Sequence, residues 1–375
     1  MDYPFSGVIV RYEYKDATQI QDQIEDELHI NLWEIGKAPF LDIGIKVHAV
    51  DNVKAIKVVL PWNVKQQEID ELGCRIDTPD TLAAIFNEEI KCESNKGFTK
   101  IIFEKNNNEF VLLKSNVASF ALTLKTYLGK AAATEISIPL ENECQACPYP
   151  GLPVYIRFRV RLIPKEIYCS TFKQRDKGLL SSSIKTRIID FRINVRRGVP
   201  KEILLPSPSS IKYPKFKKIH FFITLHRSET CEFQNENFVG CRSLTDEGIW
   251  DEYIKEKQTD QQKKKIKDCL AYQWTAKSDN TKPAKDLLLL GRFSRTITDI
   301  YQVIRFIALI VIMGMLGSAY WESVKESSWP TWVADYKVAM FISIILLITI
   351  ECDRFIIDKI GAQLSKAWTW SKRKF

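Results

Sequence analysis

The sequence predicts an α+β fold, in which a large cytosolic region of mixed strands and helices precedes a C-terminal two-helix transmembrane hairpin. Three observations predict it. Short β-branched and aromatic runs alternate apolar with polar residues as far as KKIHFFITLHRS, and patterns at helical spacing fall between them. Two apolar segments stand near the end of the chain, Ile304 to Trp321 and Val338 to Ile350. A composition of 45% hydrophobic and 27% charged residues is that of a folded protein, and a region of this length can bury one large core or two ordinary ones.

Residues 1–150 read as an acidic α+β subdomain. GVIVRYEY, LDIGIKVHAV, VKAIKVVLPW, TKIIFEK, EFVLLK and TEISIPL have the alternation of strands, with Asp51-Asn52 and Asn106 to Asn108 where hairpin turns belong. Ala17 to Trp33 carries Ile20, Ile24, Leu28 and Leu32 at four-residue spacing and predicts a helix. Thr78-Pro79-Asp80 supplies an N-cap, a first-turn proline and a first-turn acid for a second helix through Ile90, and Val117 to Leu128 predicts a third. ENECQACPYPGLP breaks the periodicity with three prolines, which places a boundary near residue 150.

Residues 151–242 read as a basic, β-rich subdomain. Residues 1–152 hold 15 Lys and Arg against 23 Asp and Glu, whereas 153–230 hold 18 against 5. In PVYIRFRVRLI, Arg157, Arg159 and Arg161 share one face of a strand and Ile156, Phe158, Val160 and Leu162 the other. IIDFRINVRR repeats the arrangement with Arg192 and Arg196, flanked by Arg187 and Arg197. Like charges opposite one another oppose strand pairing. If the two ladders are neighbours, their guanidinium groups converge and an anion is the natural partner: a nucleotide, a nucleic acid or an acidic protein surface.

Residues 243–300 read as a helical connector and juxtamembrane segment, with Trp250, Tyr253 and Ile254 on a helix, then QQKKKIKD and the polar TAKSDNTKPAK. The hairpin occupies 301–352. The first apolar segment carries no charge after Arg305, and about 18 residues rising ~1.5 Å each approach the ~30 Å hydrocarbon thickness. The second reaches that length from Ala334 to Cys352 if Lys337 and Glu351 extend to the interfaces. Tyr320, Trp321, Trp329, Trp332 and Tyr336 form an aromatic belt between the two. Arg292, Arg295 and Arg305 precede the first span, Arg354, Lys359, Lys366, Lys372, Arg373 and Lys374 follow the second, and only Lys325 and Lys337 lie between. That bias predicts cytoplasmic termini and an inner-membrane protein of two spans. Gly314, Gly317 and Ser318 in one span, with Ala339 and Ser343 in the other, are small residues suited to close helix packing. Residues 353–375 form a basic amphipathic tail with Ile356, Ile360, Leu364 and Trp368 on one face.

The nine cysteines fit a reducing compartment. Cys144-x-x-Cys147 has the spacing of half a zinc or redox site, but no second pair follows closely, so no metal or cofactor is expected. HExxH, GxSxG, GxGxxG and GxxxxGK[ST] do not occur, which points away from an enzyme.

The order of these parts, with basic strands from Arg157 to Arg161 and from Arg187 to Arg197 ahead of a hairpin from Ile304 to Ile350, resembles the two-transmembrane effectors of bacterial anti-phage defence. These include effectors attached to retrons or to cyclic-nucleotide signalling. The resemblance implies a cytosolic sensing region that controls a membrane-damaging hairpin. Two spans cannot enclose a pore, so a homo-oligomer is implied as well. The alternatives are a membrane-tethered scaffold that recruits an acidic protein through its basic face, and a membrane-bound enzyme of unrecognised type.

Overall fold

The computed structural model describes residues 3–16, 24–35, 38–127, 131–144, 146–174, 182–204, 209–245, 247–254, 266–279, 282–298 and 300–325. Among these the fold is strand-rich α+β, with three antiparallel or mixed sheets and few helices. One sheet has the order β14 (Ile211–Lys212), β1 (Ile9–Tyr14), β4 (Val53–Leu60), β10 (Ala131–Pro139), β9 (Ala121–Tyr127). The largest runs β17 (Phe238–Ser243), β18 (Cys269–Lys277), β15 (Phe216–His226), β2 (Asp26–Trp33), β3 (Phe40–Val47), β11 (Val154–Val160), β8 (Glu109–Leu113), β7 (Phe98–Phe103), β6 (Ile90–Asn95), with β5 (Ile69–Glu71) also paired to β11. The third is β12 (Cys169–Gln174), β13 (Ser182–Ile193), β19 (Leu287–Thr298), β16 (Thr230–Gln234).

The largest sheet buries one face through strict alternation. Leu28, Ile30 and Leu32 of β2, Leu41, Ile43 and Ile45 of β3, Ile156, Phe158 and Val160 of β11 and Ile219, Phe221 and Ile223 of β15 lie in one apolar core with Val10, Ile56, Val58, Ile136 and Ile138 of the five-stranded sheet. Each such side chain contributes about 1.5–3 kcal/mol on full burial.

Two helices cover the other face of the large sheet. In α1 (Pro79–Phe86) the Thr78 hydroxyl accepts from the Thr81 amide at 3.3 Å, and Asn87 ends the helix in the left-handed region at φ 56°. α4 (Glu247–Ile254) follows two short helical turns, α2 (Glu141–Cys144) and α3 (Lys201–Leu204), and is pinned by a buried carboxylate. Asp42 of β3, wholly buried, accepts from Arg159 Nε (2.6 Å) and Nη2 (3.0 Å), from Trp33 Nε1 (2.8 Å) and from the Tyr253 hydroxyl (2.6 Å). Arg159 Nη1 then donates to the carbonyl of Ile254 at 3.0 Å, so one ion pair joins β3, β11 and the C-terminal end of α4.

Several expectations are corrected. The segment after Asp26 is strand β2, not the end of a helix: Leu28 and Leu32, four apart, share a strand face as readily as a helix face, and cross-strand pairing on both sides decides between them. Positions 17–23 of that expected helix lie outside the described residues. The helix expected over Val117 to Leu128 is a single turn, Val117–Ser119, followed by β9. Asp51-Asn52 does not close a hairpin, because β3 and β4 belong to different sheets; Asn106 to Asn108 does, with Asn107 at φ 52° between β7 and β8. The boundary near residue 150 does not separate two folds, since β11 inserts between β3 and β8. Nor are residues 243–300 a helical connector, for they contain α4 and the core strands β18 and β19.

The chain divides into two compact units, Met1–Phe172 with Thr186–Arg295, and Lys173–Lys185 with Thr296–Phe375. The second unit contains α5 (Ile300–Lys325), which takes in the whole first apolar segment; the second segment and the amphipathic tail lie outside the described residues. Counted over the described residues alone, no helix is long and apolar enough to cross a membrane.

Breaking a buried ion pair leaves an uncompensated charge and costs about 3–5 kcal/mol. Asp42→Asn should therefore lower the unfolding free energy of the full chain by that order in chemical denaturation followed by tryptophan fluorescence. Tyr253→Phe removes two hydrogen bonds, the one it donates to Asp42 and the one it accepts from Arg157 Nε, and should cost about 1–3 kcal/mol for each. Equal, small losses in both variants would remove Asp42 from its place as the tie between helix and sheet.

Candidate ligand-binding site

The face of the large sheet beneath α1 and α4 carries three polar rows fixed by strand register. The first is Tyr155, Lys46, Glu27, Lys218 across β11, β3, β2 and β15. The second is Arg157, Gly44, His29, His220, Thr275, and the third Arg159, Asp42, Asn31, Phe222, Gln273, both reaching β18. Gly44 is required in the middle row: a Cβ there would stand 2.1 Å from the Tyr155 hydroxyl oxygen. Phe86 of α1 and Phe103 and Phe110 of the β7–β8 hairpin wall one side, with ring centroids 5.4 to 5.7 Å apart.

Between these elements lies a cavity of about 530 Å³, within the range of small-molecule sites. Its lining includes four cationic side chains, Lys46, Arg157, Lys218 and Arg242, against two carboxylates, Glu27 and Glu88. Arg157 is the decisive group. It is 1% exposed, yet its Nε donates to the Tyr253 hydroxyl (2.9 Å) and its Nη1 to the Tyr155 hydroxyl (2.8 Å), both neutral partners, and Nη2 has no hydrogen bond. Among the described residues no carboxylate pairs with it. Burial works against this guanidinium, the Tyr155 and Tyr253 hydroxyls and the nearby Asp42 offset that and hold it above the ordinary arginine range, and Nη2 is left for an anion delivered to the cavity.

The neighbouring groups are set up as neutral hydrogen-bonding partners. Tyr155 accepts from Arg157 and donates to His29 Nδ1 at 3.3 Å, which leaves the His29 Nε2 proton towards Glu27 Oε2 at 3.5 Å. Burial pushes His29 below the ordinary histidine range against the pull of Glu27, and Arg157 and Lys46 add to the depression. His220, with its ring centroid 5.2 Å from that of His29, is taken down to about 3 by burial and then by His29. Burial alone would raise the Glu27 carboxyl, but it is held low, at about 2, first by the hydrogen bond from His29 and then by Lys46 and Lys218. Burial makes the charged form of Lys46 more costly, which further favours an anion beside it.

The arginines singled out in the sequence do not form two neighbouring ladders. Arg157 and Arg159 are buried under α4, and Arg161 is half-buried against Asp70 at 2.6 Å. The second group lies on and beyond β13 in another sheet, so the two do not converge. Arg187 is tied to Glu34 and, at 2.8 and 2.9 Å, to Glu229; Arg192 is paired with Asp190 at 2.7 Å; Arg196 sits 4.2 Å from the Tyr213 ring centroid; Arg197 is exposed. Cys144 and Cys147 are half-buried beside the core, burial raises the Cys144 thiol to about 12, and no cluster able to hold a metal is found among the described residues. Gly314, Gly317 and Ser318 are exposed on α5, with nothing within 4 Å of a Cβ built on either glycine; Ala339 and Ser343 lie outside the described residues.

Sequence reasoning missed Lys46, Glu27, His29, Asn31, Lys218, His220 and Gln273 as site residues. The signal was present in DELHINLW and KKIHFFITLH, where polar side chains recur at every second position of strands whose other face is apolar. No protein-family model matches the chain, and no curated protein matches it in sequence.

Both cavity histidines are neutral in the folded and unfolded chain above about pH 6.5. Below that the unfolded chain takes up protons that the folded chain does not, so stability falls as pH falls, by at most about 1.4 kcal/mol per pH unit for each ring. Denaturation between pH 7 and 5 should show this slope, and His220→Gln should reduce it. An unchanged slope in that variant would show that the His220 ring titrates normally.

Proposed function

We propose that this chain is a membrane-attached sensor and effector. Its β-rich unit binds an anionic ligand in the cavity over the large sheet, and its apolar C-terminal segments form a two-span hairpin that ligand state controls. The unpaired, buried guanidinium of Arg157 carries the first half of this reading. Because Arg157 and Arg159 lie beneath helices, a small anion fits the site better than a nucleic-acid strand or an acidic protein face.

The second half rests on α5. Phe306, Ile307, Ile310, Val311, Met313 and Met315 are all exposed on it, over more than one helix face. A helix apolar on most of its circumference belongs in a protein core or in lipid. The flanking Lys and Arg residues favour two spans with both termini in the cytoplasm. Membrane damage by an assembly of such hairpins is the activity that the resemblance to anti-phage effectors implies.

Arg157→Met removes the charge but leaves Tyr155 bonded to His29 and Tyr253 bonded to Asp42. It should change the unfolding free energy by less than about 1 kcal/mol while weakening binding of small anions at least tenfold, since one charge-assisted hydrogen bond contributes about 1.5–3 kcal/mol. Strong destabilisation with unchanged anion binding would make Arg157 a structural residue. In cells, the full chain should remain with the membrane fraction after alkaline carbonate extraction and admit impermeant dye when activated. Truncation after Thr298, which keeps β19 whole, should abolish both. Membrane retention without dye entry under any condition would favour the tethered scaffold instead.

A further inference from the structure

We infer that the ligand of this cavity is an adenine nucleoside 5′-monophosphate, with its phosphate against Lys46, Lys218 and Arg157 and its base on Phe222 between Asn31 and Gln273. The inference rests on the anion-binding reading above and adds the chemical class. The argument lies in the spacing and character of the three rows. Residues two apart on a strand face are roughly 6.6–7 Å apart, so the first row stands about 13 Å from the third along β2. One end carries Lys46 and Lys218 on either side of Glu27, and the other, beyond the Arg159–Asp42 pair, presents Asn31, Phe222 and Gln273 with Arg242 over the Phe222 ring; a ligand that satisfies both is an anion extended by a polar ring.

The uncharged end has the parts that recognise a base. Register places Phe222 directly between Asn31 and Gln273, with Arg242 5.7 Å from its ring centroid. Bases stack on aromatic side chains of this kind, and amide side chains read their edges. The half-buried Asn31 amide has no hydrogen bond in the structure, so both its donor and its acceptor are available. Gln273 Nε2 is already committed to Thr275 Oγ1 (3.2 Å) and His220 Nδ1 (3.4 Å), which leaves its Oε1 as an acceptor. An acceptor at that place suits the exocyclic amine of adenine and opposes the carbonyl of guanine. In the middle row His29 is committed to Tyr155 and Glu27, and His220 through Nδ1 to Thr275 and Gln273, so His220 Nε2 is the nitrogen that could meet a ribose hydroxyl without adding charge, and Gly44 contributes no side chain over the strand.

The test is isothermal titration calorimetry of the full chain with AMP, GMP, adenosine and inorganic phosphate, repeated with Phe222→Leu and Asn31→Leu. AMP should bind at least tenfold more tightly than GMP, adenosine or phosphate. Each variant should narrow the gap between AMP and phosphate while leaving phosphate binding within a factor of about three. Phosphate binding that Arg157→Met weakens, with no preference for AMP over GMP or over phosphate, would overturn the adenine assignment and leave the anion site standing. Adenosine equal to AMP would overturn it as well, because the cationic row would then have no part. If neither AMP, GMP nor phosphate binds, both the nucleotide inference and the anion reading fall.

Discussion

The carboxylate of Asp42 is the constraint on which the rest of the arrangement depends. A charge buried this completely is tolerated only when it is paired and its lone pairs are used, and Asp42 has both oxygens occupied by Arg159, Trp33 and Tyr253. The pairing fixes α4 over the sheet. It also bears on Arg157, because Asp42 is hydrogen-bonded to Arg159 and the hydroxyl that reaches Arg157 belongs to the same Tyr253. Two arginines and one aspartate thus divide their tasks by geometry: one ion pair holds the helix, and one guanidinium is left over for the cavity.

The same sheet presents an apolar core on one face and a polar cavity on the other. Period-two alternation in β2, β3, β11 and β15 sends Leu, Ile, Val and Phe to the core and leaves Glu27, His29, Lys46, Arg157 and Lys218 on the other side. On an open antiparallel sheet that side would face water. Here α1, α4 and the β7–β8 hairpin roof it, so the polar rows become the lining of a cavity, and groups that water would have solvated acquire shifted protonation and unmet hydrogen bonds. Gly44 shows how closely the lining is fitted, since any Cβ there would strike the Tyr155 hydroxyl that links Arg157 to His29.

Much of the local structure was legible in the sequence, for identifiable reasons. Alternation in PVYIRFRVRLI and KKIHFFITLHRS marked strands, and in the first it assigned the faces correctly as far as Val160; Arg161 and Leu162 lie beyond β11, with Leu162 exposed at φ 60°. Thr78, Pro79 and Asp80 announced α1 because capping is a local interaction, and three asparagines announced the β7–β8 turn because one of them takes a positive φ. The failures were equally local in origin. Four-residue spacing in Ala17 to Trp33 satisfies both a helix and a strand, and only pairing with β3 and β15 separates them. The prolines around residue 150 marked a real break in secondary structure, but not a boundary between folds.

What the sequence by itself determined is therefore many of the strands, the capped start of α1, the parity of the side chains within β11, the excess of cations after residue 152 and the apolar character of the segment that forms α5. What only the tertiary structure decided is which faces meet. Arg157 and Arg159 of the first arginine strand are buried because helices separated from it by tens of residues fold over it, and the second arginine group lies in a different sheet because strand order is set by long-range pairing that no local period encodes. The distinction between Arg159 as a structural ion pair and Arg157 as an unmet charge has the same cause. Both residues have one chemistry and one parity, and only the placement of Asp42 and Tyr253 across the fold makes them different.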